Sequence, residues 1–414
     1  MRKQLLSVAA ILASVLILLV GSGLLGTVTP VRAHIAGFSD LVIGIIGSAY
    51  YVGFIAGCYA GPRLLARVGH SRTFAVAAAL SAVTPLMQSL WFGEVSWIVA
   101  RATFGFAAAS LYMTVESWLN DRATAETRGR IFAAYMTVNY LGLVLGQWLY
   151  TAGRPTSFSL FSLSAIFYAL CLIPVGLTRL PQPKPVAVPA LNPMRMFRLA
   201  PVGVAGCVAV GLANAAVWTL APVYAHDHHL TKGLLAAFMN AFTLGGALIQ
   251  MPLGRLSDRM DRRWIILLVS LSAIAAGLAL AAFGGRGAWW ALGLVAVFGV
   301  TNLPLYGLSV AHANDRLPRE MFVESSATLL MLNALAAAIG PVIAAMVTTR
   351  MGIAWLFVYT AAVHVAFSSF VLLRLAVKSP PPQETRERFE PMTEAGSPIS
   401  LELDPRGAEP AEIV

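Results

Sequence analysis

The chain has 414 residues, 58% of them hydrophobic and only 12% charged, with a mean hydropathy of +0.73. Soluble proteins carry about 25% charged residues, so a water-soluble enzyme or binding module is excluded. The net charge of +10 does not mark a nucleic-acid binder, because Arg and Lys sit in short loops between apolar runs and build no basic domain.

Taken in order, apolar runs of the roughly 20 residues that a bilayer demands recur about twelve times, near 5–28, 41–61, 73–92, 95–117, 131–152, 157–177, 200–223, 232–253, 264–283, 288–311, 323–348 and 352–374. Runs this long and non-alternating are helices, since lipid offers the backbone no other open-ended way to satisfy its amides. The first follows Met1-Arg-Lys and looks like a signal peptide, but it outlasts the roughly 7–15 residues of a signal core. It is expected to stay as the first span. Cys58, Cys171 and Cys207 all fall inside apolar runs, which predicts inert thiols and no disulfide framework. Residues 178–199 are Pro-rich and polar, a natural linker between a half at 1–177 and a half at 200–376. From 377 to 414 the tail is charged and poor in apolar residues, as expected of a disordered extension.

Alternate loops differ sharply in charge. One set carries Arg63, Arg67 and Arg72, then Arg122, Arg128 and Arg130, then Arg255, Arg259, Arg262 and Arg263. The other offers only Arg32, Arg154, Lys232, Arg286 and Arg350. The positive-inside rule puts the basic loops and both termini in the cytoplasm and requires an even number of spans. A multi-pass protein of the plasma membrane, the inner membrane of a bacterium, is expected.

The chain also repeats itself. An offset of 194 residues carries Leu111-Tyr112 to Leu305-Tyr306, Asn120-Asp121-Arg122 to Asn314-Asp315-Arg316, Asn139 to Asn333, and Gly146 to Gly340. Seven matches in one register indicate two related halves, an architecture of membrane transporters.

Between the eighth and ninth runs stands Gly254-Arg-Leu-Ser-Asp258-Arg259-Met-Asp-Arg262-Arg263. With two halves of six helices, this loop resembles the signature of the major facilitator superfamily. The corresponding first-half loop, Gly61-Pro-Arg-Leu-Leu-Ala66-Arg67-Val-Gly69-His70, has Ala66 where the signature has Asp. The resemblance implies an all-α integral membrane protein of twelve transmembrane helices, arranged as two pseudo-symmetric six-helix bundles. It also implies a cavity lined by the first, fourth, seventh and tenth helices. Such a loop can latch the cytoplasmic side through Asp258 and Arg259, with Asp121 and Asp315 as further gating candidates. Plain topology is the alternative for the arginines.

Arg101 is the sharpest single residue. A guanidinium early in an apolar span is costly unless it meets a wet cavity or a partner; snorkelling to the headgroups is the competing reading. Arg101-Ala-Thr-Phe-Gly105 also resembles a fourth-span motif of proton-linked members of the superfamily, which implies anion binding or the tuning of a nearby proton acceptor. Glu116 lies 15 positions further on, about 22 Å along a helix, too far to pair with Arg101. An ion pair with Arg63 or Arg67 is its expected use, and a proton-carrying carboxylate the second. Glu324 should stabilise a helix N-terminus.

Tyr112, Asn214, Trp218, Asn302 and Tyr306 are the substrate-binding candidates, because the resemblance places their helices at the cavity. Asn and Tyr suit polar groups of a solute, and Trp suits a ring. Tyr50, Tyr51, Gln147 and Asn240 are further polar candidates; Asn139 and Asn333 are expected to serve interhelical packing. His226-Asp227-His228-His229 reads as a solvated loop in preference to a metal site. Gly-Pro occurs at Gly340-Pro341 in the eleventh span and not in the fifth, where drug/proton antiporters of the superfamily carry it.

The expectation is a secondary active transporter of a small polar neutral or anionic solute, with proton coupling, acting as a monomer in the lipid bilayer. Alternatives are a drug or metabolite efflux antiporter of the same fold, or a solute sensor that does not translocate. No phosphate loop, nucleophile elbow or carboxylate pair provides a seat for enzyme chemistry. No metal or other cofactor is expected.

Overall fold

The computed structural model describes residues 2–124, 126–178, 183, 191–318, 321–377, 389 and 396. Helices fill almost all of it: Arg2–Ile35, Asp40–Val68, His70–Leu90, Glu94–Arg122 and Arg128–Leu149, then a sixth span in two pieces, Ser159–Leu170 and Leu172–Gly176. The second half follows with Pro201–Asp227, Lys232–Arg259 and Arg262–Phe283, a tenth span in two pieces, Ala288–Asn302 and Leu305–Asn314, then Phe322–Met351 and Trp355–Val377. The tenth span breaks at Leu303-Pro304, where proline supplies no amide donor and its ring crowds the preceding turn.

Among the described residues, eleven helical segments are long and apolar enough to cross a membrane. The fifth span, Arg128–Leu149, falls short of that standard because it carries Asn139, Tyr140 and Gln147, all on the cavity wall. Within the stretch expected as a linker, Pro193–Leu199 forms a short helix. Asn192 caps it by accepting the Arg195 N–H at 3.1 Å, and it packs against the seventh and eleventh spans. A Pro-rich, polar composition predicts no helix there. Most of the C-terminal tail lies outside the described residues. Phe389 is described, and it is buried against the end of the eighth span.

Packing repeats with the sequence. The second span lies on the fourth as the eighth lies on the tenth, and the first on the fifth as the seventh on the eleventh. Glycines sit where these backbones come closest. A methyl group at Gly105 would strike the Tyr50 carbonyl, and one at Gly299, 194 residues on, the Phe242 carbonyl. Gly146 and Gly340 make the same approach to the Val20 and Leu212 carbonyls. Membrane helices associate largely through such close packing, because lipid is as apolar as the side chains. The two halves meet along the second and eleventh spans, the fifth and eighth, and the first and seventh.

Candidate functional site

Between the halves lies a cavity of about 210 Å³. Helices from both sides build its wall, including the first, second, fourth and fifth spans and the seventh, eighth, tenth and eleventh. Arg101 lines it, with its guanidinium carbon 5.1 Å from the Tyr50 ring centroid and 5.5 Å from that of Phe104. Both distances are within cation–π range. No carboxylate pairs with Arg101 among the described residues. Among the described residues, the wall has no acidic side chain.

Tyr112, Trp218 and Tyr306 also line the cavity, as expected of the fourth, seventh and tenth spans. Asn214 and Asn302 do not. Asn214 is buried in the packing of the seventh span. Asn302 is fully buried, and its Oδ1 accepts a hydrogen bond from His364 Nε2 at 2.8 Å. His364 belongs to a polar chain through Ser270 and Ser368, whose hydroxyls lie 2.9 Å apart. That chain ties the ninth, tenth and twelfth spans beside the break at Pro304, so Asn302 secures a broken helix from a position off the cavity wall.

Asn139 and Asn333, expected in packing, both reach the wall. Asn333 also donates to the Cys207 carbonyl at 2.9 Å across two spans, whereas Asn139 donates to Tyr135 in its own helix at 2.8 Å. Tyr50, Tyr51 and Gln147 line the cavity as well, and Asn240 does not. Two further residues close the ring without having stood out in the sequence. Gln250 donates to the Tyr140 hydroxyl at 2.6 Å, bridging the halves. Gln147 and Thr243 make a second bridge at 3.3 Å.

Glu116 is fully buried, and the Tyr135 hydroxyl donates to its Oε1 at 2.9 Å. The expected partners are elsewhere: Arg63 and Arg67 are exposed, and Arg63 reaches the Tyr59 carbonyl at 3.5 Å. An arginine at the surface cannot follow a carboxylate so far into the bundle. Glu116 stands one helical turn beyond Tyr112, just outside the cavity wall.

The end of the bundle that carries the basic loops is locked within the second half. Arg262 donates to Asp315 at 2.7 Å, Ser257 at 3.0 Å and Asp258 at 2.8 Å, and the Arg262–Asp315 pair is buried. Asp258 also accepts the Phe389 N–H at 3.0 Å. Arg259, the expected latch residue, is exposed; Arg262, three positions on, does the pairing. Asp121, the repeat mate of Asp315, is half-exposed and lies 3.8 Å from its neighbour Arg122. Glu324 sits in the first turn of its helix, 3.9 Å from Arg195.

At the far end, His34 of the first span lies 2.9 Å from Asp227 of the seventh, and Lys232 donates to the Gly153 carbonyl at 2.8 Å. The His226–His229 stretch is therefore no free loop. Its first two residues end a helix, His226 packs edge-on to His34, and the His228 ring lies tilted against Tyr224. Among the described residues, no group of three or more possible ligands is placed to hold a metal.

The model of the Major Facilitator Superfamily matches residues 11–321 and 203–408. The chain is 26% identical over 385 residues to the uncharacterized MFS-type transporter YcaD of Escherichia coli O7:K1, covering 91% of this chain and 97% of that one. It is 27% identical over 377 residues to the uncharacterized MFS-type transporter Ent638_1421 of Enterobacter sp. (strain 638), at 91% and 97% coverage. Among solved structures, the nucleoside transporter NupG superposes with a TM-score of 0.75 at 14% identity, over 91% of this chain and 100% of that one. A D-xylose-proton symporter gives 0.70 at 14% identity, over 92% and 98%. Repeat, helix packing, central cavity and family match agree: the chain belongs to the major facilitator superfamily, as a multi-pass transporter of the bacterial inner membrane.

Proposed function

We propose that this transporter is a proton-coupled secondary carrier of a small solute, acting as a monomer with both termini and the basic end in the cytoplasm. The halves at 1–177 and 200–376 rock about the central cavity, exposing it to each side in turn. Arg101 binds the solute, with Tyr112, Trp218 and Tyr306 shaping the space around it. Glu116 carries the coupling proton, held by Tyr135. The observation that supports this reading best is the placement of Arg101 in a wall that both halves share. A charged side chain at membrane depth is retained where it meets substrate or ion. Support for Glu116 is its complete burial beside that cavity on the helix that also carries Arg101.

The test uses the protein in vesicles with an imposed pH gradient. Wild type accumulates solute against its gradient; Arg101→Ala loses accumulation and exchange alike; Glu116→Gln loses accumulation but still exchanges labelled for unlabelled solute. Equal pH-driven accumulation by wild type and Glu116→Gln would remove the carboxylate from the coupling step. A cavity of 210 Å³ is smaller than the roughly 300–1,000 Å³ of drug-sized pockets, which favours a small solute over bulky drugs.

A further inference from the structure

We infer that the solute is a small aromatic organic anion, whose single carboxylate sits on Arg101 while its ring lies among the tyrosines of the cavity wall. This rests on the transporter reading above and narrows it to a substrate class.

Charge balance comes first. Arg101 keeps its charge at any physiological pH. Its guanidinium lies against the Tyr50 and Phe104 rings and has no carboxylate partner among the described residues. Ring faces attract the cation, but they are weaker acceptors of its N–H groups than a carboxylate, which takes two of them at once. Among the described residues, the wall has no Asp or Glu to compensate. The repeat supplies nothing either: 194 positions on from Arg101 stands Val295, fully buried. Among the described residues, the wall therefore offers a solute a positive charge with no carboxylate beside it. A neutral solute would leave that charge bare, and a cation would meet repulsion. A monoanion neutralises it, and a carboxylate matches the fork of guanidinium donors in two parallel hydrogen bonds.

The rest of the solute is set by the wall. Tyr50, Tyr112, Tyr306 and Trp218 bring aromatic surface from both halves, and the first two stand on the same side as Arg101. Flat rings pack offset or edge-on against such surfaces. Gln147 and Gln250 add amides that can meet a ring substituent. A cavity of about 210 Å³, below the drug-sized range, suits a compact solute such as one substituted ring.

Benzoate, benzamide, benzylamine, acetate and inorganic phosphate are the probes, added to the purified full-length chain while the thermal midpoint is followed. A ligand that binds only the folded form raises the midpoint in proportion to the logarithm of its concentration over its Kd. Benzoate should raise it, benzamide and benzylamine should not, and acetate should need at least tenfold higher concentration. Arg101→Gln should abolish the benzoate response and Arg101→Lys should weaken it. An equal shift from benzamide and benzoate in wild type would overturn the inference, and this comparison needs no variant to fold. A response to phosphate or acetate as strong as that to benzoate would overturn the aromatic part and leave a plain anion site.

Labelled benzoate then separates the two claims. Binding without counterflow in vesicles would contradict the transporter reading and leave the ligand class standing. Counterflow of neutral or cationic rings alone would do the reverse.

Discussion

The two halves share a backbone plan but divide their charges in opposite ways. In the first half, ionisable groups lie at membrane depth: Arg101 on the cavity wall and Glu116 buried beside it. Their mates in the second half, 194 residues on, are Val295 and Val310, both buried in packing. At the basic end the balance reverses. The second-half loop is held by Arg262 on Asp315 and Asp258. In the first-half loop, with Ala66 in place of the signature Asp, His70 lies 2.8 Å from Ser117 and packs near Trp118. Asp121 stays half-exposed. Duplication thus preserved the helix contacts while the halves specialised, the first for handling charge within the membrane and the second for rigidity at its rim.

That contrast can be broken most forcefully at Arg262. Replacing it with Ala takes from Asp315 its buried ion-pair partner at 2.7 Å, which costs about 3–5 kcal/mol. His70→Ala removes a hydrogen bond between smaller groups and should cost about 1–2 kcal/mol. Denaturation midpoints in detergent would compare them. Equal losses would mean that the basic ends are not held differently.

Next come the shared contacts. Gly105→Ala and Gly299→Ala each drive a methyl group into a neighbouring carbonyl, an overpacking cost of about 1–3 kcal/mol. The two should agree within the error of a thermal melt, because the same approach recurs in both halves. A large loss at one and none at the other would show that the packing is not truly duplicated.

The smallest effect sharpens the picture of the second-half loop. Burial raises the Asp261 carboxyl, but hydrogen bonds from Arg263 more than offset this and hold it below the usual carboxylate range. A folded pKa lower than the unfolded one stabilises at pH above the unfolded value, about 3.9, and that stability is lost as pH falls through the folded value. Asp261→Asn should therefore lower the melting point at neutral pH and converge with wild type in acid. A difference that persists unchanged at low pH would remove this carboxylate from the account.

Much of the fold is legible in the sequence because lipid allows few solutions. Run length gives the spans, and the repeated Asn-Asp-Arg gives the duplication. Arg101, Tyr112, Trp218 and Tyr306 are likewise readable, since polar or aromatic groups in particular spans stand out. Which face each helix turns to the cavity is harder to read. A membrane helix is apolar all round, so periodicity does not separate wall from packing as it does in a soluble helix. Asn302 shows the consequence: it is as polar as Asn333, yet His364 claims it. A lone His inside the apolar run of the twelfth span was the available signal. The Arg262–Asp315 pair joins residues 53 apart in sequence, so spacing alone pointed to the neighbour Arg259. Tyr140 and Gln250 likewise acquire meaning only when the halves are placed face to face.

Alternating exposure of the cavity is the claim on which the rest stands, and paired spin labels can test it without knowing the solute. One pair, Arg154→Cys with Lys232→Cys, reports the gap between halves at the far end; the other, Arg67→Cys with Arg259→Cys, reports the basic end. All four positions are exposed, and the native cysteines are buried. Across pH and added benzoate, the far-end distance should lengthen in the same population in which the basic-end distance shortens. Two distances that stay single and unchanged under every condition would contradict a rocking transporter.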